Sequence, residues 1–405
     1  MPAKKHPSLV MLVTPLCILL ALTTPVRSSA QQQDEDRRQR PKLIEFDAPG
    51  AATVSSPVCA PFCGTVAYDN NDLGVVVGFY TDSNIVPHGF LRTPNGHITS
   101  FDAPGAGLGY GLNQGTAAYA INDLGVIAGQ FQDPSYLYHG FVRYPDGSFT
   151  TFDAPGAGTS ASQGTFAFDV NLQGTTAGIY IDGSNVYHGF VRSRARDHDC
   201  YSASRCPDNH FTSFDPTGSV FTYVCEETCL LSDGTVAGFY SDSSNISHGF
   251  VRQPDGTITE FDAPGAGTGA FQGTTAASIN AQGEIAGYFV DSSNVLHGFL
   301  RDRNGSFTTF DDPNAGTGTY QGTVAYSINL EGATTGVYLD SSNIGHGFQR
   351  SPDGKFTNFD APDASPVYIG TRPSTNNLEG VVTGWWADGQ DLNHGFVWIP
   401  GGFLP

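Results

Sequence analysis

One 20-residue stretch, HGFVRQPDGTITEFDAPGAG at positions 248–267, recurs in variant form seven times along the chain. The histidines that open its HGF triplets lie 51, 49, 60, 49, 49 and 48 residues apart, and an insertion at 193–210 accounts for the long step. A unit repeated at a nearly constant period buries its apolar face by stacking against its neighbours. The chain is therefore expected to fold as an array of similar units.

Each copy holds four short strand-like runs, which in the fifth copy are residues 274–280, 284–290, 297–301 and 306–311. These runs are rich in β-branched and aromatic residues and are bounded by Asn, Asp, Gly and Pro, which is typical of hairpins. No long stretch shows helical periodicity. Four antiparallel strands at a period near 49 residues predict an all-β fold, a seven-bladed β-propeller with four-stranded blades.

The two ends of the chain complement each other. Residues 43–47 supply only the fourth strand of a copy, and the last copy ends after its third strand at 394–398. We predict that the N-terminal strand joins the last blade as its outer strand, which closes the ring and removes exposed edges. Residues 43–405 then form a single propeller domain, with the insertion 193–210 in the third blade.

Residues 1–30 have the pattern of a secretory signal peptide. Lys4 and Lys5 precede an apolar run at 9–23, and small residues at 28–30 offer a cleavage site. The run is short for a spanning helix, so we expect cleavage rather than a membrane anchor. Residues 31–42 are polar and unpatterned and are expected to be a disordered lead-in. The mature protein is then an extracellular or periplasmic monomer without membrane insertion.

The charge is strongly acidic. The chain carries a formal net charge of −20, and residues 1–30 hold three cations and no acid, which leaves −23 on the remainder. Nucleic acid is excluded as a partner, because phosphate contacts need a basic surface. Anionic membranes are disfavoured for the same reason. Protein or carbohydrate at the cell exterior remains as the expected partner.

Six cysteines follow the predicted signal peptide, and an even number in an exported chain indicates disulfides. Their order favours pairing Cys59 with Cys63, Cys200 with Cys206, and Cys225 with Cys229. The last pair aligns with strand positions, and four extended residues span about 13 Å, too far for a bridge. Either the strand bulges there, or one of these two cysteines pairs with Cys200 or Cys206. Zinc is the alternative for the CxxxC spacing.

A histidine and an aspartate recur together, 14 residues apart in five copies, and fall opposite each other across a hairpin. One such pair could be half of a catalytic or metal site. Seven identical pairs instead indicate a structural role, in which each imidazole fixes a strand to a loop. The predicted pairs are His88 with Asp102, His139 with Asp153, His188 with Asp215, His248 with Asp262, His297 with Asp311, His346 with Asp360 and, across the closure, His394 with Asp47.

The DSSN turns at 242–245, 291–294 and 340–343 place several side-chain oxygens together. Calcium prefers such ligands, but Asp and Asn also stabilise turns by bonding their own backbone. We therefore expect no cofactor and no metal, with calcium as the alternative at these turns.

The last copy departs most from the repeat. It holds all three tryptophans of the chain, Trp385, Trp386 and Trp398, and Arg372 stands where other copies have small residues. Trp398 replaces a recurring arginine that we expect to pair with an acid on the sheet. The bulky residues either plug the closing seam or form a stacking platform for sugar rings.

Three further aromatic residues complete the set of candidate ligand-binding residues. Phe271, Tyr320 and Tyr368 precede first strands on the face with the longer and more variable loops, where ligands usually bind. They are expected around the channel mouth. Trp385, Trp386 and Arg372 are the other candidates.

No GxSxG, HExxH, P-loop or dinucleotide-binding glycine pattern occurs, so no catalytic residue is assigned. The first hypothesis is a non-catalytic binding or scaffold module with a protein or glycan ligand. The alternative is a polysaccharide-acting hydrolase or lyase with its site at the channel mouth, and a structural surface protein is a third. An enzyme requires a unique cluster of reactive side chains in one or two copies.

The motif HGFVR…DGxFTxFDAPGA resembles the bacterial "probable extracellular repeat" family, which is named for its HAF repeats. The resemblance covers residues 43–400 and rests on the seven HGF triplets and on INxxGxxxG segments such as 121–129. It implies a secreted or surface protein and implies no activity, ligand or catalytic residue.

Overall fold

A computed structural model describes residues 40–55, 59, 63–109, 114–194, 209–224, 228–365 and 370–401. The predicted signal peptide and most of the predicted lead-in lie outside these residues. The regular elements of the described part are all β-strands, which confirms the all-β class. None of the described residues forms a helix long and apolar enough to cross a membrane.

The strands form seven antiparallel units of four, numbered here by strand position within the unit. The first strands are β2 (Gly64–Asn70), β6 (Gly115–Ile121), β10 (Gly164–Val170), β14 (Ser219–Val224), β18 (Gly273–Ile279), β22 (Gly322–Ile328) and β26 (Thr371–Asn376). The second strands are β3 (Val76–Thr81), β7 (Ile127–Gln132), β11 (Thr176–Ile181), β15 (Val236–Asp242), β19 (Ile285–Val290), β23 (Thr334–Leu339) and β27 (Val382–Ala387).

The third strands are β4 (Pro87–Arg92), β8 (Tyr138–Arg143), β12 (Tyr187–Arg194), β16 (Ser247–Arg252), β20 (Leu296–Arg301), β24 (Gly345–Arg350) and β28 (Asn393–Ile399). The fourth strands are β5 (Ile98–Phe101), β9 (Phe149–Phe152), β13 (Asn209–Phe214), β17 (Ile258–Phe261), β21 (Phe307–Phe310), β25 (Phe356–Phe359) and, from the start of the chain, β1 (Lys42–Phe46). Because β1 begins at Lys42, the last residue of the predicted lead-in belongs to this strand.

The last unit takes its fourth strand from the N-terminal part of the chain. β1 pairs antiparallel with β28, so that Leu43 lies opposite Trp398. A single parallel bridge, Gly64 to Asn393, then joins the last unit to the first. Similar bridges group the units into three sheets of 8, 8 and 12 strands, and the strand pairing of the described residues is not continuous around all seven units.

The HGF triplet forms the apolar core of each unit. Its phenylalanine is completely buried in all seven units, at Phe90, Phe141, Phe190, Phe250, Phe299, Phe348 and Phe396. Phe90 meets Phe46 of the N-terminal strand edge-on, with ring centroids 6.0 Å apart. The preceding glycine is required because a Cβ on Gly89 would lie 2.5 Å from the Phe101 ring.

The recurring arginines join neighbouring units through aromatic rings. The guanidinium of Arg92 lies 4.8 Å from the centroid of Phe46, and that of Arg350 lies 4.7 Å from the centroid of Phe310. An acid acts on only one of the two: burial lowers the pKa of the Arg350 guanidinium and nearby Asp353 raises it in part, whereas burial alone shifts the pKa of Arg92. A cation over a ring face is attracted by the ring quadrupole, and this contact tolerates the burial that lowers the pKa of each arginine.

Asparagines link the turns between first and second strands from one unit to the next. Their Nδ2 groups donate to backbone oxygens of the following unit, as Asn71 does to Asn122, Asn122 to Asn171, Asn171 to Leu231, Asn280 to Asn329, Asn329 to Asn377 and Asn377 to Asn71. We call this series of hydrogen bonds the asparagine ladder. Leu231 occupies the asparagine position in the fourth unit and has no side-chain amide, so the ladder lacks one hydrogen bond there.

The disulfide predicted between Cys59 and Cys63 is confirmed, with Cα atoms 5.0 Å apart. Cys229 is also disulfide-bonded. Its partner lies outside the described residues, as do Cys200, Cys206 and Cys225, so the alternatives for these cysteines stay open.

The insertion extends a hairpin of the third unit. Its base is formed by β12 and β13, where Arg194 lies opposite Asn209. Residues 195–208, the remainder of the insertion, lie outside the described part.

Candidate ligand-binding cavity

A cavity of about 420 Å³ lies among the first and second strands of five units. Its wall is largely aromatic, with hydroxyl groups and one guanidinium. The residues that line it are Tyr68, Phe221, Tyr223, Phe239, Thr275, Ala276, Ala277, Tyr288, Tyr326, Arg372, Pro373, Ser374 and Trp385. First strands of most successive units contact one another, including β2 with β26, and the cavity lies among first and second strands.

Strand alternation accounts for part of the lining. Thr275 and Ala277 on β18, and Arg372 and Ser374 on β26, are pairs of lining residues two positions apart. Ala276 and Pro373 between them also line the cavity, and both strands have a register shift at that point. Six aromatic residues of the wall were not among the sequence-based candidates: Tyr68, Phe221, Tyr223, Phe239, Tyr288 and Tyr326. For Tyr68, Tyr223 and Tyr326 the signal that could have found them is alternation, read at the first and third residues after the threonine that recurs in each first strand.

Arg372 and Trp385 are brought together in the cavity. They lie directly opposite each other on β26 and β27, and the guanidinium carbon is 5.8 Å from the centroid of the indole. The Nε of Arg372 is buried and has no hydrogen-bond partner among the described residues. Trp385 is 8% exposed, so its ring supports the guanidinium from the wall of the cavity.

The charge of Arg372 is unique at its position. The strand register aligns it with an uncharged residue in every other unit, namely Val66, Ala117, Phe166, Tyr223, Thr275 and Val324. The outer parts of the seven units repeat closely, whereas the residues facing the centre differ from unit to unit. A specific ligand site needs asymmetry of this kind, whereas a purely repetitive scaffold does not need it.

Trp386 faces away from the cavity. Its ring stacks on the imidazole of His394 at a centroid distance of 4.4 Å, and the side chain is buried in the core of the last unit. It follows Trp385 directly, and consecutive residues of a strand point to opposite sides of the sheet. Of the three tryptophans, the cavity therefore contains only Trp385.

Phe271 and Tyr320 lie on loops outside the cavity wall. They are 73% and 52% exposed, and their φ angles of 65° and 59° are in the left-handed region, which bulky residues rarely adopt. Each holds its loop through a backbone N–H, donated to Asn245 and Asn294 respectively. Tyr368 lies outside the described residues.

In all seven units a histidine Nδ1–H donates to an aspartate carboxylate. The distances are 2.8 Å for His88 with Asp102, 2.8 Å for His139 with Asp153, 2.7 Å for His188 with Asp215, 2.9 Å for His248 with Asp262, 3.0 Å for His297 with Asp311, 2.9 Å for His346 with Asp360 and 2.9 Å for His394 with Asp47. The hydrogen bond raises the pKa of His88, His139 and His394.

Each imidazole is also held on two further sides. The Nε2 of His88 lies 3.7 Å from Asp82 of the preceding turn, and the ring stacks on Tyr80 at 5.2 Å between centroids. Equivalent contacts recur in the other units, as for His248 with Asp242 and Tyr240. An arrangement that is the same in every unit is architectural.

The aspartates of the DSSN turns serve the turns themselves. Asp242 Oδ1 accepts hydrogen bonds from the backbone N–H groups of Ser244 and Ile246 at 2.8 and 2.9 Å. No group of three or more potential metal ligands occurs within the described ranges.

Two buried carboxylates join neighbouring units. Asp69 accepts the N–H of Ile121, and Asp169 accepts those of Cys229 and Leu230. Burial raises the pKa of Asp69 to about 6 and that of Asp169 to about 7, because desolvation penalises the charged form. Neither residue lines the cavity.

Comparison with known proteins bears on the fold. No family model and no curated protein matches the chain. Among solved structures, the chain is similar to puromycin hydrolase, with 12% identity and a TM-score of 0.51, over 85% of this chain and 54% of that one. The chain thus spans about half the length of that protein.

Two further comparisons are weaker. AofleA from Arthrobotrys oligospora has 11% identity and a TM-score of 0.42, over 78% of this chain and 90% of that one. The Aleuria aurantia lectin has 12% identity and a TM-score of 0.39, over 84% and 96%. At these identities the comparisons concern architecture only, and this chain is all-β and β-propeller-like.

Proposed function

We propose that the seven units are the blades of a closed seven-bladed propeller, and that the protein is a secreted, non-catalytic module that binds carbohydrate. Two contacts between the first and last units support closure, the bridge from Gly64 to Asn393 and the hydrogen bond from Asn377 to Asn71. The pairing of β1 with β28, which completes the last unit with the N-terminal strand, supports it as well. A ring leaves only short protected strand edges.

The observation that carries the function is the aromatic cavity. Its volume of about 420 Å³ lies within the usual range for small-ligand sites. Tyrosine and tryptophan offer an apolar ring face together with a polar edge. The C–H faces of a sugar ring pack on such rings, while its hydroxyls can bond to the tyrosine, Thr275 and Ser374 hydroxyls of the wall.

The composition of the wall favours binding over hydrolysis. Most glycoside hydrolases use a pair of carboxylates on either side of the scissile bond. The described wall residues include no carboxylate. Asp69, which follows the wall residue Tyr68 in sequence, already accepts a backbone hydrogen bond from the next unit.

Export is part of the same proposal. The disulfide between Cys59 and Cys63 fits an oxidising compartment. The expected signal peptide and the proposed membership of the extracellular repeat family point in the same direction. The exposed rings of Phe271 and Tyr320, held at strained backbone angles, suit a second contact region for an extended glycan.

A glycan array followed by calorimetry on the mature protein tests this function. Tyr326→Ala, which removes a half-buried wall ring, should weaken glycan binding at least tenfold, and Trp386→Phe, on the opposite side of the sheet, should leave it unchanged. Trp385→Phe provides a second wall variant that keeps the core filled. Binding of no glycan, or capture of a protein in its place, would contradict the proposal.

A further inference from the structure

The cavity holds an unsatisfied charge in an unusual setting. The chain has 39 acidic residues against 19 lysines and arginines, yet Arg372 forms no ion pair with any described residue. A buried guanidinium nitrogen without an acceptor is costly, and buried polar groups are normally paired. Arg372 lines the open cavity, so its guanidinium can reach an acceptor on a bound ligand as well as water.

The Nε atoms of Arg92, Arg143, Arg252, Arg301 and Arg350 are likewise buried without a hydrogen-bond partner among the described residues, so Arg372 differs from them in its place and not in its Nε. The guanidinium of Arg252 lies over Phe214 at 5.1 Å, and its Nη1 donates to the backbone oxygen of Gln253 at 3.1 Å. Those arginines serve the contact between units. Arg372 replaces an uncharged residue on a different strand and faces an open cavity, so packing between units does not explain its charge.

We propose that the cavity selects a carboxylated sugar, such as a uronic acid, and that its carboxylate pairs with the Arg372 guanidinium. This inference rests on the proposed carbohydrate-binding function. A guanidinium presents parallel N–H donors that match a carboxylate, and such charge-assisted pairs are the stronger hydrogen bonds of proteins. Trp385 holds the guanidinium in place while the tyrosine rings of the wall take the sugar face.

The negative charge of the chain opposes this ligand only at long range. At an ionic strength of about 0.15 M, charges farther apart than about 8 Å are largely screened. Contact inside the cavity therefore decides selectivity, and the described wall contains no acid that would repel a carboxylate.

The test compares galacturonate and glucuronate oligomers with their methyl esters, which keep the ring and remove the charge. We expect the wild-type protein to bind the acids at least tenfold more tightly than the esters, which corresponds to about 1.4 kcal/mol. Arg372→Gln should make the acid and ester affinities equal, and Arg372→Lys should keep part of the preference. Trp386→Phe, outside the cavity, is the control and should keep all of it.

Several outcomes separate this inference from the function beneath it. Equal binding of acid and ester by the wild-type protein would overturn the acidic selectivity and leave carbohydrate binding standing. An Arg372→Gln protein that melts at a lower temperature with an unchanged acid-to-ester ratio would make Arg372 structural and would also overturn it. Failure of the wild-type protein to bind acid, ester or any neutral glycan would contradict both.

Discussion

The side-chain amide of Asn377 donates to the backbone oxygen of Asn71 at 3.2 Å, across 306 positions of sequence. Asn377 itself receives the same contact from Asn329 at 2.8 Å. The first and last units are thus joined as sequence neighbours are joined elsewhere in the ladder. The contact lies at the first-to-second-strand turns, away from the pairing of β1 with β28, so it is an independent link between the two ends.

Removal of one step of this ladder should destabilise the fold. Asn377→Leu, which copies the residue at position 231, leaves the Asn71 oxygen without its donor and should cost about 1–3 kcal/mol in the free energy of unfolding. Denaturant titration measures it. Asn122→Leu should behave similarly, and Asn304→Ala, at an exposed turn, is the control. An Asn377→Leu protein with an unchanged midpoint would show that the ladder does not support closure.

The histidine of the repeat should affect stability and not ligand binding. His248→Ala removes the stack on Tyr240 and the hydrogen bond to Asp262, and should cost about 1–3 kcal/mol. His297→Ala should cost a similar amount because its surroundings are the same. Thermal melting and glycan titration check both properties, with exposed His97→Ala as control. Loss of binding in only one of the two variants would favour a site at that histidine.

The protein should be most stable in mildly acidic solution. Asp69 and Asp169 have pKa values raised to about 6 and about 7, so the folded state binds their protons more tightly than the unfolded state. The stability that these two carboxyls contribute to the fold is lost as the pH rises from 3.8 to their raised pKa values. The pKa values of His88 and His394 are raised by their aspartates. The stability that these histidines contribute is therefore lost as the pH rises above 6.5. The melting temperature should therefore fall between about pH 5 and about pH 8.

The loss of stability at low pH follows from carboxyls whose pKa is lowered in the folded protein. The pKa of Asp242 is lowered by hydrogen bonds from the backbone of its own turn, so its contribution is lost as the pH falls below 3.8. Melting curves across the pH range measure the fall in melting temperature both towards low pH and towards high pH. Asp169→Ser, which places at this position the residue found at Ser278 and Ser327, should flatten the fall between neutral and acidic pH. A melting temperature that rises steadily from about pH 5 to about pH 8 would contradict this account.

Arginine, the residue that recurs at this position in the other units, should be tolerated in place of Trp398. Its ring stacks on Phe359 at 4.5 Å with an interplanar angle of 14°, at the site where Arg92 lies over Phe46 in the first unit. Trp398→Ala opens a cavity at the seam and should cost about 3–5 kcal/mol. Trp398→Arg restores the contact of the repeat and should cost clearly less. Equal losses for the two variants, measured by denaturant titration, would show that the arginine contact does not transfer to this unit.

Much of the fold could be predicted from the repeat. Alternating residues between turn signals define strands, and the incomplete copies at the two ends predicted the pairing of β1 with β28. The partner of the recurring arginine could not be read in this way. The guanidinium of Arg92 meets Phe46, 46 positions away in sequence, because the first unit packs on the N-terminal strand.

The candidate site was only partly predictable. Arg372 and Trp385 stood out as departures from the repeat, and both line the cavity. Trp386 stood out equally and packs on His394 instead. Tyr68 and Tyr326 cannot be distinguished in this way, because tyrosine is common in this chain and both occupy ordinary strand positions. Composition marks unusual residues, and it does not tell which side of a sheet faces the centre.

The sequence by itself determined the unit: its four strands, its glycine turns, its His–Asp pair and its number of copies. These depend on local periodicity and on residue types that each turn or ladder position requires. The tertiary structure alone decided which side chains of distant copies meet, among them Arg372 with the rings of Tyr68 and Tyr223 in one cavity. That meeting depends on how the units pack against one another, and no single unit contains this information.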